Sequence, residues 1–453
     1  MTFEGRQQGA ALARGDEADA AGDEYAARAP RPGQLADTGL SAPYLADLVA
    51  KHLHQNGVLA LTELSRRCAL AGGIMEEVLA LLRDEARIEV RGGGERGNLC
   101  FGLTDRGRAS ALEALARDGY IGPAPVTLDN YTRQAELQGL SRTGVDRDSV
   151  HAIFADTVIA PEVLDRLGPA LHSGRATFIY GAAGTGKSFI ARRLARLLRG
   201  QVLVPHAILV AGKAVKVFDA GVHRPVADPA SGPERGVLLA QGHDPRYVRC
   251  ERPLVSVGGE LTAEMLEVQY DDATRVHQAP LQLRANNGLL VIDDLGRQRI
   301  EPMALFNRWI VPLEERHDYL GLRDGQPFRV PFDVSLVFST NLHPLDLADP
   351  AFMRRIGYKI RFDALSREDY LAIWAQECRS RGLEASPAQA AYVIDELHAR
   401  FAVPLLPCHP RDLLGLALDY LAYRGEVQLT VEALRWAWQN YFMELGDTEG
   451  EAT

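Results

Sequence analysis

The stretch "RATFIYGAAGTGKSFIARRLARLLRG" (175–200) constrains this chain more than any other. Ala176 to Tyr180 read as a short buried strand, and an apolar stripe at helical spacing begins after Ser188. Between them lie Gly181, Ala182, Ala183, Gly184, Thr185, Gly186, Lys187 and Ser188. The glycines let the backbone wrap closely around phosphates, and the loop N–H groups and the helix N-terminus point at the anion. Lys187 would reach the terminal phosphates as a point charge, and the Ser188 hydroxyl would ligate Mg²⁺. Such a loop belongs in an α/β fold with a parallel sheet.

Two later segments repeat the pattern of an apolar run that stops at polar residues. "GLLVIDDLGRQ" (288–298) ends on Asp293 and Asp294, about 105 residues beyond Ser188. Asp293 is placed to complete the magnesium shell, and Asp294 to polarise an attacking water. Glutamate is the commoner residue for that second task, so the shorter side chain raises the expectation of slow hydrolysis. "VSLVFSTN" (334–341) ends on Asn341, which can orient the water or the last phosphate.

Further on, "DPAFMRRIG" carries adjacent Arg354 and Arg355, and "LPCHPRDLLGLALDYL" lies in an all-helical tail. In this order the phosphate loop, acidic strand end, polar strand end, paired arginines and late Pro-Arg resemble the AAA+ ATPases over about 150–445. That resemblance implies an ATP-hydrolysing, three-layer P-loop NTPase core with a helical lid, working as a homo-oligomeric ring, with a hexamer expected. It implies that "HAIFADTVIAPEVLDRL" (151–167) closes over the adenine and that Arg411 meets the γ-phosphate in cis. Arg355 matches the arginine inserted into the neighbouring subunit's site, with Arg354 as the alternative; an arginine fork suits transition-state charge.

The distance between loop and acidic strand exceeds what the common core needs, so an insertion is expected over about 201–280. "AILVAGKAVKVFD" (207–219) alternates around Gly212 as a hairpin, "DPASGPERG" reads as a loop, and "RPLVSVGGELTAEMLEV" as a strand leading to a short helix. "DYLGLRDGQPFRVPFDV" (318–334) reads as a second hairpin turning at Asp324-Gly325. These features resemble the clade with an insert in its second helix, which includes magnesium chelatase and MoxR-type ATPases. There such hairpins line the ring's central face; Tyr270 is read as packing locally.

Ahead of the core, "LADLVAKHLHQNG", "LTELSRRC", "GIMEEVLALLRDEARI", the hairpin "IEVRGGGERGNLCFGLT" and the helix "DRGRASALEALARDG" resemble a winged-helix domain over 37–118. Its third helix offers Glu76, Glu77, Asp84 and Glu85 against Arg83 and Arg87, which suits protein docking better than phosphate; Arg91 and Arg96 could still touch a nucleic-acid backbone. With "FADTVI", "GGELT" and "VIDDLGRQ", this unit resembles a bacterial group of predicted ATPases with chaperone activity, linked by name to Flp pilus assembly. Residues 1–36 read as a disordered tail, 119–147 as a linker, 148–362 as the core, 363–446 as the lid and 447–453 as a tail.

The net charge of −10 argues against whole-surface attraction to nucleic acid or anionic membrane. Five cysteines without a C-x-x-C pair suggest neither a zinc site nor a disulfide framework, and a cytoplasmic setting is expected. No transmembrane segment is expected. Together these readings make an ATP-driven ring that remodels or assembles protein clients, with a DNA-associated switch or a slow nucleotide-held scaffold as alternatives.

Overall fold

Five parallel strands organise the computed structural model, which describes residues 29–93, 99–226, 243–384 and 386–442. They are β1 (Thr177–Gly181), β2 (Leu254–Val257), β3 (Leu289–Ile292), β4 (Ser335–Thr340) and β5 (Tyr358–Phe362), in spatial order β2-β3-β4-β1-β5. Side chains alternate across the sheet, as strand geometry requires. Phe178, Leu290, Ile292, Leu336 and Phe338 face the helix Pro302–Glu315, where Phe306 and Trp309 are fully buried. Ile179, Leu289, Val291 and Val337 face the helices Pro161–His172 and α1 (Lys187–Arg193). The strands are covered on both faces, so they read as unbroken apolar runs rather than alternating ones.

β2 departs from expectation. "LVSV" falls within the expected insertion, yet it is the edge strand of the parallel sheet, with Leu254 opposite Leu289 and Val257 opposite Ile292. Its exposed Ser256 belongs to an edge position, and that single polar residue breaks the apolar run. Insertion elements therefore lie on either side of β2. Strand Gln201–Pro205 pairs antiparallel with Tyr247–Glu251, and Ala207–Val210 forms the expected hairpin with Lys213–Lys216. The expected loop at 228–236 lies outside the described residues. Strands Gln269–Asp271 and Val276–Gln278 extend the hairpin into a second, five-stranded sheet. The strands of hairpin 207–216 are mostly buried there, with the turn at Ala211 and Gly212 exposed.

The hairpin His317–Gly321 with Pro327–Pro331 forms as expected, its turn held by Gly325 at φ +80°. Lys213 Nζ meets Asp324 Oδ2 at 2.7 Å and couples the two hairpin turns. Tyr270 packs locally, with the Arg323 guanidinium 4.6 Å from its ring centre and the His277 ring at 4.8 Å.

At the N-terminal end, helices Ala42–Asn56, Leu61–Cys68 and Gly72–Asp84, the antiparallel pair Ile88–Gly93 and Leu99–Leu103, and helix Asp105–Arg117 follow the order read from the sequence. Their core also contains Ala207, Ala214 and Val276 of the second sheet, so the unit is fused to the insertion. The ordered chain begins earlier than expected. Residues 29–36 are ordered, with Ala29 buried and its carbonyl accepting from Asp244 N at 2.8 Å; residues 1–28 and 443–453 lie outside the described residues.

The expected linker 119–147 is likewise structured. Thr127 caps the helix Leu128–Leu137, and the buried positions Tyr131, Gln134, Ala135 and Gln138 follow the i, i+3, i+4, i+7 stripe of an amphipathic helix. Two of the four are glutamines, which is why polarity hid the stripe. Gln138 Nε2 donates to Leu203 O (3.1 Å) and Asn287 Oδ1 (3.0 Å), and its Oε1 accepts from Leu203 N (2.9 Å) and Gln134 Nε2 (2.9 Å). Gln138→Ala would leave these buried partners unmatched. At roughly 1–3 kcal/mol per orphaned group, partly relieved by entering water, we expect a loss of about 2–4 kcal/mol in urea unfolding. A change under about 0.5 kcal/mol would show that the segment is not anchored there.

Candidate functional site

Three strands end at one cleft. β1 runs into the glycine loop and α1, β3 into Asp293 and Asp294, and β4 into Asn341. Gly181 backs directly onto β5: a Cβ there would lie 2.1 Å from Phe362 O, so no larger residue fits. Lys187 is buried and folds over its own loop, donating from Nζ to Gly181 O (2.9 Å), Ala182 O (2.7 Å) and Thr185 Oγ1 (3.3 Å). Burial pulls its pKa below the ordinary lysine value, and the carboxylates of Asp294 and Asp293 oppose that.

Ser188 Oγ donates to Asp293 Oδ1 at 2.7 Å, and Arg192 Nη2 stands 3.6 Å from Asp293 Oδ2. Hydroxyl and carboxylate together make a hard oxygen pair of the kind Mg²⁺ prefers when it keeps waters and phosphate oxygens as its other ligands. Among the described residues no group of three or more His, Cys, Asp or Glu side chains could hold a metal on its own.

Asp294 is exposed, and Asn341 Nδ2 lies 3.5 Å from its Oδ1. Its backbone sits at φ +49°, in the left-handed region. Asp and Asn enter that region far more readily than longer side chains, because their short polar groups bond locally; the cost for most other residues is about 1–2 kcal/mol. This gives a physical reason for aspartate where glutamate is commoner.

The cleft has a volume of about 880 Å³. Residues 183–188, Asp294, Asn341 and Arg411 all line it, together with the loop Asp156–Ala160 expected to cover the base. Arg411 lies on the lid helix Cys408–Arg424, largely exposed, its Nε donating to Asp412 Oδ1 at 2.8 Å. Lid and loop touch: a Cβ on Gly184 would lie 2.5 Å from Cys408 Sγ. Arg354 and Arg355 are not brought to this cleft. Arg355 is 20% exposed, pairs with Glu314 at 2.6 Å and donates to Ala351 O at 2.6 Å. Arg354 is exposed, and its guanidinium makes no hydrogen bond or ion pair among the described residues.

Several lining residues escaped the sequence reading. Ile373 and Gln376 come from the first lid helix, Arg367–Ser380, and Gln376 Nε2 reaches Asp156 O at 3.4 Å. Arg297 and Arg361 also face the cleft. Their only signal was position: Arg297 lies three residues past Asp294, and Arg361 lies in a strand ending beside the loop.

This strand order and loop define an α/β P-loop NTPase core followed by a helical C-terminal region. Residues 366–440, the lid, match a family described as a domain of unknown function (DUF8689). No curated protein matches the chain. Among solved structures it is similar to the Thermotoga maritima RuvB Holliday junction branch migration motor, with 13% identity, 64% of this chain and 73% of that one covered, and a TM-score of 0.36. It is also similar to NtrX from Brucella abortus (16% identity, 70% and 57% covered, TM-score 0.38) and to domain III of the Thermotoga maritima replication initiation protein DnaA (13%, 66% and 99%, TM-score 0.35). The fold assignment rests on the strand order and the loop geometry, independently of these likenesses.

Proposed function

We propose that this chain binds ATP with Mg²⁺ and hydrolyses it slowly, as a homo-oligomeric ring that remodels protein clients. The observation that carries the reading is the 2.7 Å bond from Ser188 to Asp293, which joins the phosphate loop to the acidic strand end with Asp294 and Asn341 over the same cleft. Lys187 and the loop N–H groups hold the phosphates, and the loop Asp156–Ala160 covers the base. Ser188 and Asp293 would hold Mg²⁺, which would supply charge neutralisation on the phosphate oxygens. Asp294 accepts a proton from water as the water oxygen bonds to the γ-phosphorus and the bond to the β–γ bridging oxygen breaks, releasing ADP and phosphate. Asn341 orients that water, and Arg411 meets the γ-phosphate from the lid.

Neither paired arginine lines the chain's own cleft, which supports a role in a neighbouring copy's site. Arg354 is the better candidate, because Arg355 is already held by Glu314. The N-terminal unit is read as a protein-docking module. Its third helix presents Glu76, Glu77 and Asp84 outward, while Arg87 is buried against Asp47 (2.7 Å) and Glu85 (3.2 Å), and Arg91 pairs with Glu89. Arg96 lies outside the described residues. Such a surface repels phosphates, so the DNA-associated reading loses its footing. A setting in pilus or secretion assembly rests on the family resemblance alone. Among the described residues no helix is long and apolar enough to cross a membrane.

The test is phosphate release by the purified chain with ATP and Mg²⁺ over a range of protein concentrations. Turnover per subunit should rise with concentration as copies complete one another's sites. Absence of both ATP binding and phosphate release would overturn the proposal.

A further inference from the structure

We infer that Gln298 is a positioning residue that holds Asp294 in its water-facing geometry, an inference that rests on the ATPase reading above. One side chain makes three bonds across the turn after β3. Gln298 Nε2 donates to Asp293 O at 2.8 Å and to Asp294 O at 3.2 Å, and its Oε1 accepts from Gly296 N at 2.8 Å. The two carbonyls belong to the peptide planes on either side of the Asp294 Cα. An amide bonded to both therefore constrains φ and ψ of that residue together, and so sets the direction of its Cα–Cβ bond.

That constraint matters here more than in an ordinary turn. Asp294 sits at φ +49°, a conformation an unrestrained aspartate leaves easily, and among the described residues its carboxylate has only the long 3.5 Å contact from Asn341 to hold it. The rest of the turn is already fixed elsewhere. Leu295 N donates to Ser339 O (2.8 Å), Thr340 Oγ1 donates to Leu295 O (2.8 Å), and Arg297 N donates to Asp294 O (3.1 Å). The first two anchor the turn to β4, the third closes the turn on itself, and none of them bonds the Asp293 carbonyl. Gln298 supplies that bond, and among the described residues its side chain makes no bond to the glycine loop 181–188.

The test compares parent, Gln298→Met, Asp294→Asn and the double variant in Mg-ATP turnover and in ATP affinity. Methionine keeps the length and removes the amide. Turnover of Gln298→Met should fall about 10- to 100-fold, as a displacement of about an ångström in a reacting group does, with ATP affinity within about threefold of the parent. In the Asp294→Asn background the same substitution should cost nothing further, because Gln298 acts through Asp294. Gln298→Glu keeps an acceptor for Gly296 N but loses both donors, and it should be as slow as the methionine variant even if methionine impairs folding. Parent-like turnover in Gln298→Glu, or an equal further loss in the Asp294→Asn background, would overturn the inference while the parent still hydrolyses ATP. A parent that neither binds nor hydrolyses ATP would instead overturn the ATPase reading, and this inference with it.

Discussion

Lys187→Ala is expected to weaken ATP binding by at least about 100-fold, roughly 2.7 kcal/mol or more. Its ammonium is buried at the centre of the loop, where three bonds to Gly181, Ala182 and Thr185 hold it over the place the phosphates would occupy. Phosphates arriving there exchange two carbonyl dipoles and a hydroxyl for full negative charge, so the lysine gains by switching partners. Alanine removes that charge and leaves the loop carbonyls facing an anion. The measurement is titration with a fluorescent ATP analogue, with thermal melting to show that the variant is folded. A folded variant that keeps its affinity would mean that this loop is not the phosphate site.

Arg354→Ala is expected to lower turnover by about 10³-fold while ATP affinity stays within a few-fold, the signature of an arginine used only in the transition state. Arg355→Ala should act mainly through lost packing and the lost pair with Glu314, with a smaller effect on turnover. Because the residue would serve a neighbour's site, mixing Arg354→Ala with Asp294→Asn subunits should raise turnover above the low level of either variant alone. If Arg355→Ala is the slower variant, the pairing with Glu314 must break on assembly. If neither variant slows hydrolysis, the cleft is complete within one chain.

The chemistry proposed for this site is legible in the sequence because phosphate binding would demand particular residues in one short run. Gly184, Gly186, Lys187 and Ser188 have few substitutes, and an apolar strand ending in Asp293 and Asp294 has to account for two carboxylates. What stayed hidden was written in ambiguous residues. Gln134 and Gln138 look like solvated surface until Asn287 is placed opposite them, a pairing separated by about 150 residues. "LVSV" could not be told from an insertion strand, because edge strands carry the same alternation as hairpins. Gln298 carries no signal of its own in the sequence, since its value comes from two peptide planes whose orientation only the folded turn reveals.

The fusion of the N-terminal unit to the second sheet has a mechanical consequence. A domain on a flexible linker offers its cargo as a tethered ligand, at an effective concentration set by linker length, and absorbs the motion of its motor as slack. Here the intervening segment is a helix stapled through Gln138 and Asn287 to the start of β3, and the unit shares a core with Ala207, Ala214 and Val276. On the function proposed above, a partner held on that unit would move with the core, and a rotation imposed by nucleotide would reach it as displacement rather than be taken up as slack.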